Sequence, residues 1–243
     1  MKKILGLIVV MLVILLQSCG MIVVEEDTEE YLMLSDQYNQ YITHDAVDFD
    51  DFKALMNNVT NQTTLSVFML VIETKNTFNR VTSRSYQTAT LVENDLKYMY
   101  LLTTYEKVDE RATSIDYSLY DAYGNLLEGE LYDHDEELCV IRVEKAGTAY
   151  PKAQLAKFHP MNKELVIMIS NADTVLNLQK LGFFLYQNEA SYVEIKSLES
   201  AIGSPVFNLK LELIGIQVSY GVEHALLIDY LVISEFLDKV FST

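Results

Sequence analysis

Beyond Phe52 the chain carries many short apolar or alternating runs separated by polar turns, and this pattern limits its fold more than any other feature. The run at residues 65–72 has the length and composition of a buried strand. Similar runs lie at residues 86–92, 98–103, 114–120, 130–132, 138–143, 165–170, 183–186, 193–195, 206–207, 211–218 and 225–228. Many short strands joined by polar turns predict an all-β barrel or sandwich.

Two segments have a helical period instead. One face of the tail predicts an amphipathic helix over about residues 230–241, packed on the last barrel; its residues are Val232, Phe236, Leu237, Val240 and Phe241. Residues 52–59 are consistent with a short helix.

The first twenty residues have the features of a bacterial lipoprotein signal. Lys2 and Lys3 precede an apolar run at residues 4–16, and the run ends in LQSC, with Cys19 at the cut. As a helix this run rises only ~20 Å, short of a ~30 Å hydrocarbon core. We therefore expect a signal peptide at residues 1–18, lipid on Cys19 and a location on the extracytoplasmic face of the bacterial cell membrane. A cleaved soluble form and an uncleaved anchored form are the alternatives.

Acidic residues dominate the segment after the signal. Residues 25–51 hold ten acids and neither Lys nor Arg, so we interpret residues 19–51 as an acidic tether. A specific binding arm is the alternative. The whole chain has a formal charge of −17, and removal of the signal makes it more negative by the charges of Lys2 and Lys3. Nucleic acid is therefore not an expected partner.

Cysteine content excludes a disulfide framework. Once Cys19 is acylated only Cys139 remains, within the apolar run LCVI. A buried, inert thiol is the expected state of Cys139.

Three blocks in the β region point to a family. Residues 101–108 read LLTTYEKV. Residues 120–125 read YDAYGN and residues 133–143 read DHDEELCVIRV. Residues 200–208 read SAIGSPVFN and residues 212–216 read ELIGI. In order and rough spacing they resemble the LTNxHVV, DGxxxxAxxxxxDxxxDLAVLKI and GNSGGPLFNxxGxVIGI passages of bacterial trypsin-like serine proteases of the high-temperature-requirement type.

This resemblance covers about residues 55–241 and implies two perpendicular six-stranded β-barrels. The implied domain is residues 52–243, with barrel one at about 62–150, barrel two at about 151–228 and the C-terminal helix at about 230–241.

The same resemblance implies that the catalytic residues are missing. Glu106 stands at the position of the histidine, Glu137 at that of the aspartate and Ile202 at that of the serine. Isoleucine has no atom that can attack a carbonyl. Two oxyanion-turn glycines correspond to Ser200 and Ser204, and only Gly203 remains. We therefore expect no catalytic residue, and interpret the domain as a pseudoprotease that binds a peptide or protein partner.

Two alternatives stay open. An active serine endopeptidase with a rearranged site would use Ser200 or Ser204, which flank the turn, or one of the four histidines, His44, His134, His159 and His224. An unrelated β-rich surface lipoprotein would result if the resemblance were coincidental.

Metal chemistry would depend on Glu106 and Glu137. If they face each other as the resemblance implies, they would suit a hard cation such as calcium or share a proton. An acidic turn is usually just solvated, so we expect no metal and no cofactor.

Overall fold

The computed structural model describes residues 49–107, 112–145, 147–172, 175–195, 201–221 and 223–242. In chain order the elements are α1 (Phe49–Thr64), β1 (Val67–Lys75), β2 (Val81–Asn94), β3 (Tyr98–Thr104), β4 (Ser114–Tyr120), β5 (Leu126–His134), β6 (Leu138–Glu144), β7 (Gln154–Leu155), β8 (Leu165–Ala172), β9 (Val175–Gln187), β10 (Ala190–Val193), β11 (Pro205–Asn208), β12 (Glu212–Gln217), β13 (Ala225–Asp229) and α2 (Tyr230–Phe241). The signal peptide and nearly all of the acidic tether lie outside these residues.

Barrel one is a closed sheet with strand order β1-β2-β3-β6-β5-β4. All of its strand pairs are antiparallel. Most join strands that are neighbours in sequence, and the β3–β6 and β1–β4 pairs close the ring. Alternate side chains of each strand point into the barrel. Where the outer face is covered as well, as in β3, consecutive residues are buried and the sequence shows a continuous apolar run. The interior contains Phe68, Leu70, Leu101, Leu119 and Ile141, all fully buried.

Barrel two has the strand order β11-β8-β9-β10-β13-β12, and pairing of β11 with β12 closes this ring of six. The two-residue strand β7 adds to β12 in parallel. The interior is filled by Val166, Met168, Phe184, Val206 and Ile214. The predicted all-β architecture of two six-stranded barrels with a C-terminal helix is confirmed.

A third apolar cluster joins the two barrels. Leu102 and Val140 of barrel one pack in it with Ile167, Phe207 and Ile216 of barrel two. The contact between the two barrels is therefore an apolar cluster of its own, separate from the two barrel interiors.

Helix α2 closes this cluster with a face that includes the predicted Phe236 and Val240 but is rotated from the predicted one. The Asp229 carboxylate caps the helix by accepting from the Leu231 N–H, and Ile233, Phe236 and Val240 are buried. The prediction placed Val232 on this face, but Val232 is 46% exposed. Each helical residue turns by about 100°, so one position separates an inward side chain from an outward one.

Several predicted boundaries were too short. Helix α1 starts at Phe49 and continues to Thr64, where the prediction gave residues 52–59. Strand β9 starts at Val175, not at residue 183, and the short β7 was not predicted. In the described part of the chain, no helix is long and apolar enough to span a membrane.

Candidate functional site

The turn that the resemblance equates with the catalytic serine lies where the two barrels meet. It comprises residues 201–204, immediately before β11, and is closed by a hydrogen bond of 3.1 Å from the Ser204 N–H to the Ala201 oxygen. Gly203 has a φ of +81°. A Cβ atom there would lie 2.3 Å from the Thr88 oxygen and 2.5 Å from the Thr103 hydroxyl. Only glycine can adopt this backbone conformation without strain and fit into the space beside Thr88 and Thr103.

Hydrogen bonds hold this turn to both barrels. On the side of barrel one, the Thr88 N–H donates to the Ile202 oxygen at 3.0 Å, and the Ser204 hydroxyl donates to the Thr88 hydroxyl at 3.2 Å. On the side of barrel two, the Gly203 N–H donates to the Gln217 oxygen at 2.8 Å. The turn is thus part of the contact between the barrels.

Glu106 lies just after β3 and is connected to the turn at residues 201–204 through Gln87. Its Oε2 accepts from the Ser85 hydroxyl at 2.7 Å and from the Gln87 amide at 3.2 Å. The Gln87 Oε1 in turn accepts from the Thr103 hydroxyl at 3.1 Å, and that hydroxyl also lies 2.7 Å from the Thr88 oxygen. A polar chain therefore runs from the exposed Glu106 carboxylate to the buried turn.

Glu137 lies on the turn between β5 and β6 with its side chain exposed. Its backbone oxygen accepts from the Tyr105 N–H at 2.7 Å, so the backbone of Glu137 adjoins the residue before Glu106. Its own N–H donates to the Asp135 carboxylate at 2.8 Å. Backbone bonding therefore links the Glu137 turn to the residue before Glu106, whereas the backbone of Ile202 is bonded to Thr88 of β2.

Among the described residues, the alternative nucleophiles and bases do not form a catalytic group around this turn. Ser204 has no exposed surface, and its hydroxyl is directed at Thr88, so an external substrate cannot reach it. Ser200 lies outside the described residues, as does His44. His134 stacks on Tyr105 with ring centroids 4.0 Å apart. The other two described histidines, His159 and His224, lie on barrel two.

Metal ligands and thiol chemistry are the remaining possibilities. Within the described residues, no three or more His, Cys, Asp or Glu side chains are grouped as a metal would require. Cys139 is buried in barrel one, and this burial raises the pKa of its thiol to about 12. A thiol with such a pKa is not a nucleophile near neutral pH.

Sequence reasoning missed Ser85, Gln87 and Thr88, which connect Glu106 to the turn. The available signal was a glutamine and two threonines in this strand: Gln87, Thr88 and Thr90 are all buried, and buried polar side chains need hydrogen-bond partners. Gln217 was missed as well, and both of its buried amide atoms lack a partner among the described residues.

No family model matches the chain, and no curated protein is found as a relative. The two closed six-stranded antiparallel barrels and the C-terminal helix form a chymotrypsin-like two-barrel fold.

Proposed function

We propose that this chain is a lipid-anchored bacterial lipoprotein whose chymotrypsin-like domain does not hydrolyse peptides and instead binds an extended peptide segment of a partner. One observation carries the loss of catalysis: Ile202 occupies the turn between the barrels, and the turn's only described hydroxyl, that of Ser204, is fully buried.

The edge of β2 supports peptide binding. Strand β2 pairs with β1 down to Val81, whereas its pairing with β3 begins only at Thr90. Thr88 directs its N–H away from β1, to the Ile202 oxygen. Alternate residues of a strand direct their backbone groups to the same side, so those of Tyr86 and Arg84 also point away from β1. No described strand pairs with them there.

An open strand edge is a template for an added strand. The Glu106 carboxylate lies over this part of β2, because Ser85 and Gln87 both bond to it. A carboxylate at the edge and a chain charge of −17 both favour a peptide that carries Lys or Arg.

Backbone substitution at Arg84 tests this binding mode. Arg84→Pro removes an outward N–H that bonds to no other residue in the described part of the barrel. Arg84→Ala keeps that N–H and removes only the side chain that bonds to Glu73. From a library of linear peptides we expect selection of Lys- or Arg-containing sequences that bind the wild type and the alanine variant but not the proline variant. Equal binding to both variants would contradict the β2 edge as the binding site. A library from which no peptide is enriched would contradict peptide binding itself.

A rearranged hydrolase is the second candidate, and one contact favours it. The Ser85 hydroxyl donates to the Glu106 carboxylate at 2.7 Å, which is the geometry of a nucleophile and its base. A glutamate carboxylate is a weaker base for an alcohol near neutral pH than the imidazole of a catalytic histidine, and therefore the non-catalytic function is preferred.

A further inference from the structure

The loop between β7 and β8 presents large apolar side chains to solvent. Residues 157–163 read KFHPMNK, with two lysines and no acid. Phe158 is 79% exposed and Met161 is 75% exposed. Apolar side chains exposed to this degree within one short loop are a mark of an interaction surface.

The loop is fixed from beneath. The His159 ring lies 5.5 Å from the Phe184 ring and 4.9 Å from the Tyr186 ring, and Pro160 is buried. The Asn162 side chain bonds to both the N–H and the oxygen of Tyr186. These contacts with β9 fix the loop, and Phe158 and Met161 project from it into solvent.

Neighbouring residues extend the apolar surface. Tyr186, which contacts His159, is 43% exposed. Leu231, in the first turn of α2, is 55% exposed and donates its N–H to Asp229. The Asp229 carboxylate lies 3.6 Å from the His159 ring, so the loop and the helix start adjoin.

The loop itself carries only positive formal charges, opposite in sign to the net charge of the whole chain. Lys157 and Lys163 flank the apolar residues and are both exposed. Two nearby acids have their carboxylates engaged in the fold. Glu164 accepts from the Met161 N–H at 2.9 Å, and Asp229 accepts from Leu231 and from the Ser191 hydroxyl.

We propose that this surface, formed by Lys157, Phe158, Met161, Lys163, Tyr186 and Leu231, rests on an anionic lipid layer. Projecting aromatic and thioether side chains between lysines match the boundary between headgroups and acyl chains. Phe158 and Met161 project far into solvent and lie on a loop, not along an open strand edge, and this favours a lipid surface over a peptide. The proposal rests on the proposed lipid anchor, because the anchor raises the effective concentration of this weak contact.

The absence of tryptophan from the sequence provides a specific test. Phe158→Trp places a fluorophore in the surface, and Phe78→Trp places one at an equally exposed phenylalanine, 81% exposed, between β1 and β2. Each full-length lipidated protein is reconstituted in phosphatidylcholine and phosphatidylglycerol vesicles with brominated acyl chains. We expect the F158W emission to shift to shorter wavelength and to be quenched about twofold or more, since interfacial residues lie ~5–10 Å deep, whereas F78W is not quenched.

Charge reversal provides the second arm. In the F158W background, Lys157→Glu should reduce quenching, whereas Lys210→Glu, an exposed lysine between β11 and β12, should not. Equal quenching of F158W and F78W would overturn the proposal. A blue shift that instead appears without lipid and grows with protein concentration would assign the surface to a second copy of the chain and would also overturn it.

Flotation of the same samples separates this proposal from the anchor. Floating F158W protein without quenching overturns the lipid-facing surface alone and leaves the anchor intact. F158W protein that does not float overturns both.

Discussion

The backbone N–H of Thr88 donates a 3.0 Å hydrogen bond to the carbonyl oxygen of Ile202, and this bond joins β2 of barrel one to the turn before β11 of barrel two. The oxygen of Thr88 lies against Gly203 on the same side of the strand. The N–H of Thr88 therefore bonds to the turn, and its oxygen packs against the turn. The turn is fixed, and the isoleucine at the position that the resemblance equates with the serine has no nucleophilic atom.

Gly203→Ala tests how tightly the turn is held. The new Cβ would meet the Thr88 oxygen at 2.3 Å in addition to a φ of +81°, so we expect a loss of ~3 kcal/mol or more in the free energy of unfolding. Gly147→Ala is the matched control. Gly147 has a φ of +85° but nothing within 4 Å of the built Cβ, so only the backbone strain of ~1 kcal/mol applies. Urea unfolding of both variants measures the difference, and equal losses would show that the contact with Thr88 is not tight.

Asp121→Asn tests the buried carboxylate that closes the turn between β4 and β5. Burial alone would raise the pKa of Asp121, but hydrogen bonds from Asn125, Tyr150 and Tyr123 outweigh it and hold the pKa below its ordinary value. A lowered folded-state pKa contributes stability above the unfolded value of ~3.9, and this stability is lost as the pH falls through the folded value. In either orientation the amide nitrogen of asparagine would face an N–H donor, either the backbone of Tyr123 and Asn125 or the Asn125 side chain, so we expect a loss of ~1–3 kcal/mol at pH 7.

This loss should shrink as the pH falls below ~4, because the wild type then loses the same interaction. Thermal melts at pH 7 and pH 3 measure it. Asp238→Asn, at an exposed aspartate of α2, should change stability by less than ~0.5 kcal/mol. A difference between Asp121→Asn and the wild type that does not depend on pH would contradict the role given to this carboxylate.

Cys19→Ala tests the anchor. Lipid attachment needs the thiolate of this residue, so we expect the variant to incorporate no labelled fatty acid and to remain as an uncleaved precursor or leave the membrane. Cys139→Ala is the matched control. Because the Cys139 thiol is buried and should take no lipid, we expect this variant to be labelled like the wild type. Equal labelling of the wild type and Cys19→Ala would show that the chain is not a lipoprotein.

Local patterns predicted the strands well because a strand that is buried on one or both faces has an alternating or continuous run of apolar residues in its sequence. Strand β4 was predicted with its observed bounds, and β3 and β6 to within one residue. The first half of β9 was missed because Gln179 and Lys180 interrupt the apolar pattern, although β8 pairs with both. The C-terminal half of α1 was missed because threonines there have low helix propensity, and Thr63 instead bonds back to the Val59 oxygen.

The candidate site was predictable only in part. The resemblance singled out Glu106, Glu137 and Ile202, but the partners that hold Glu106 come from β2, about twenty residues earlier in the chain. The bond between Thr88 and Ile202 joins residues of different barrels. Contacts of such long sequence separation leave no periodic signal in a single sequence, so Ser85, Gln87 and Thr88 became visible only in the folded chain.

Covalent labelling of the protein with a fluorophosphonate probe, together with incubation with unfolded casein, tests the central claim that this two-barrel domain is catalytically silent. Because Ile202 supplies no nucleophile and Ser204 is buried, we expect labelling and cleavage at background level, and Ile202→Ser alone should not restore turnover, since Glu106 cannot act as the histidine does near neutral pH. Stoichiometric labelling that is abolished by Ser85→Ala, Ser200→Ala or Ser204→Ala would contradict the claim and identify the domain as a hydrolase with a rearranged site.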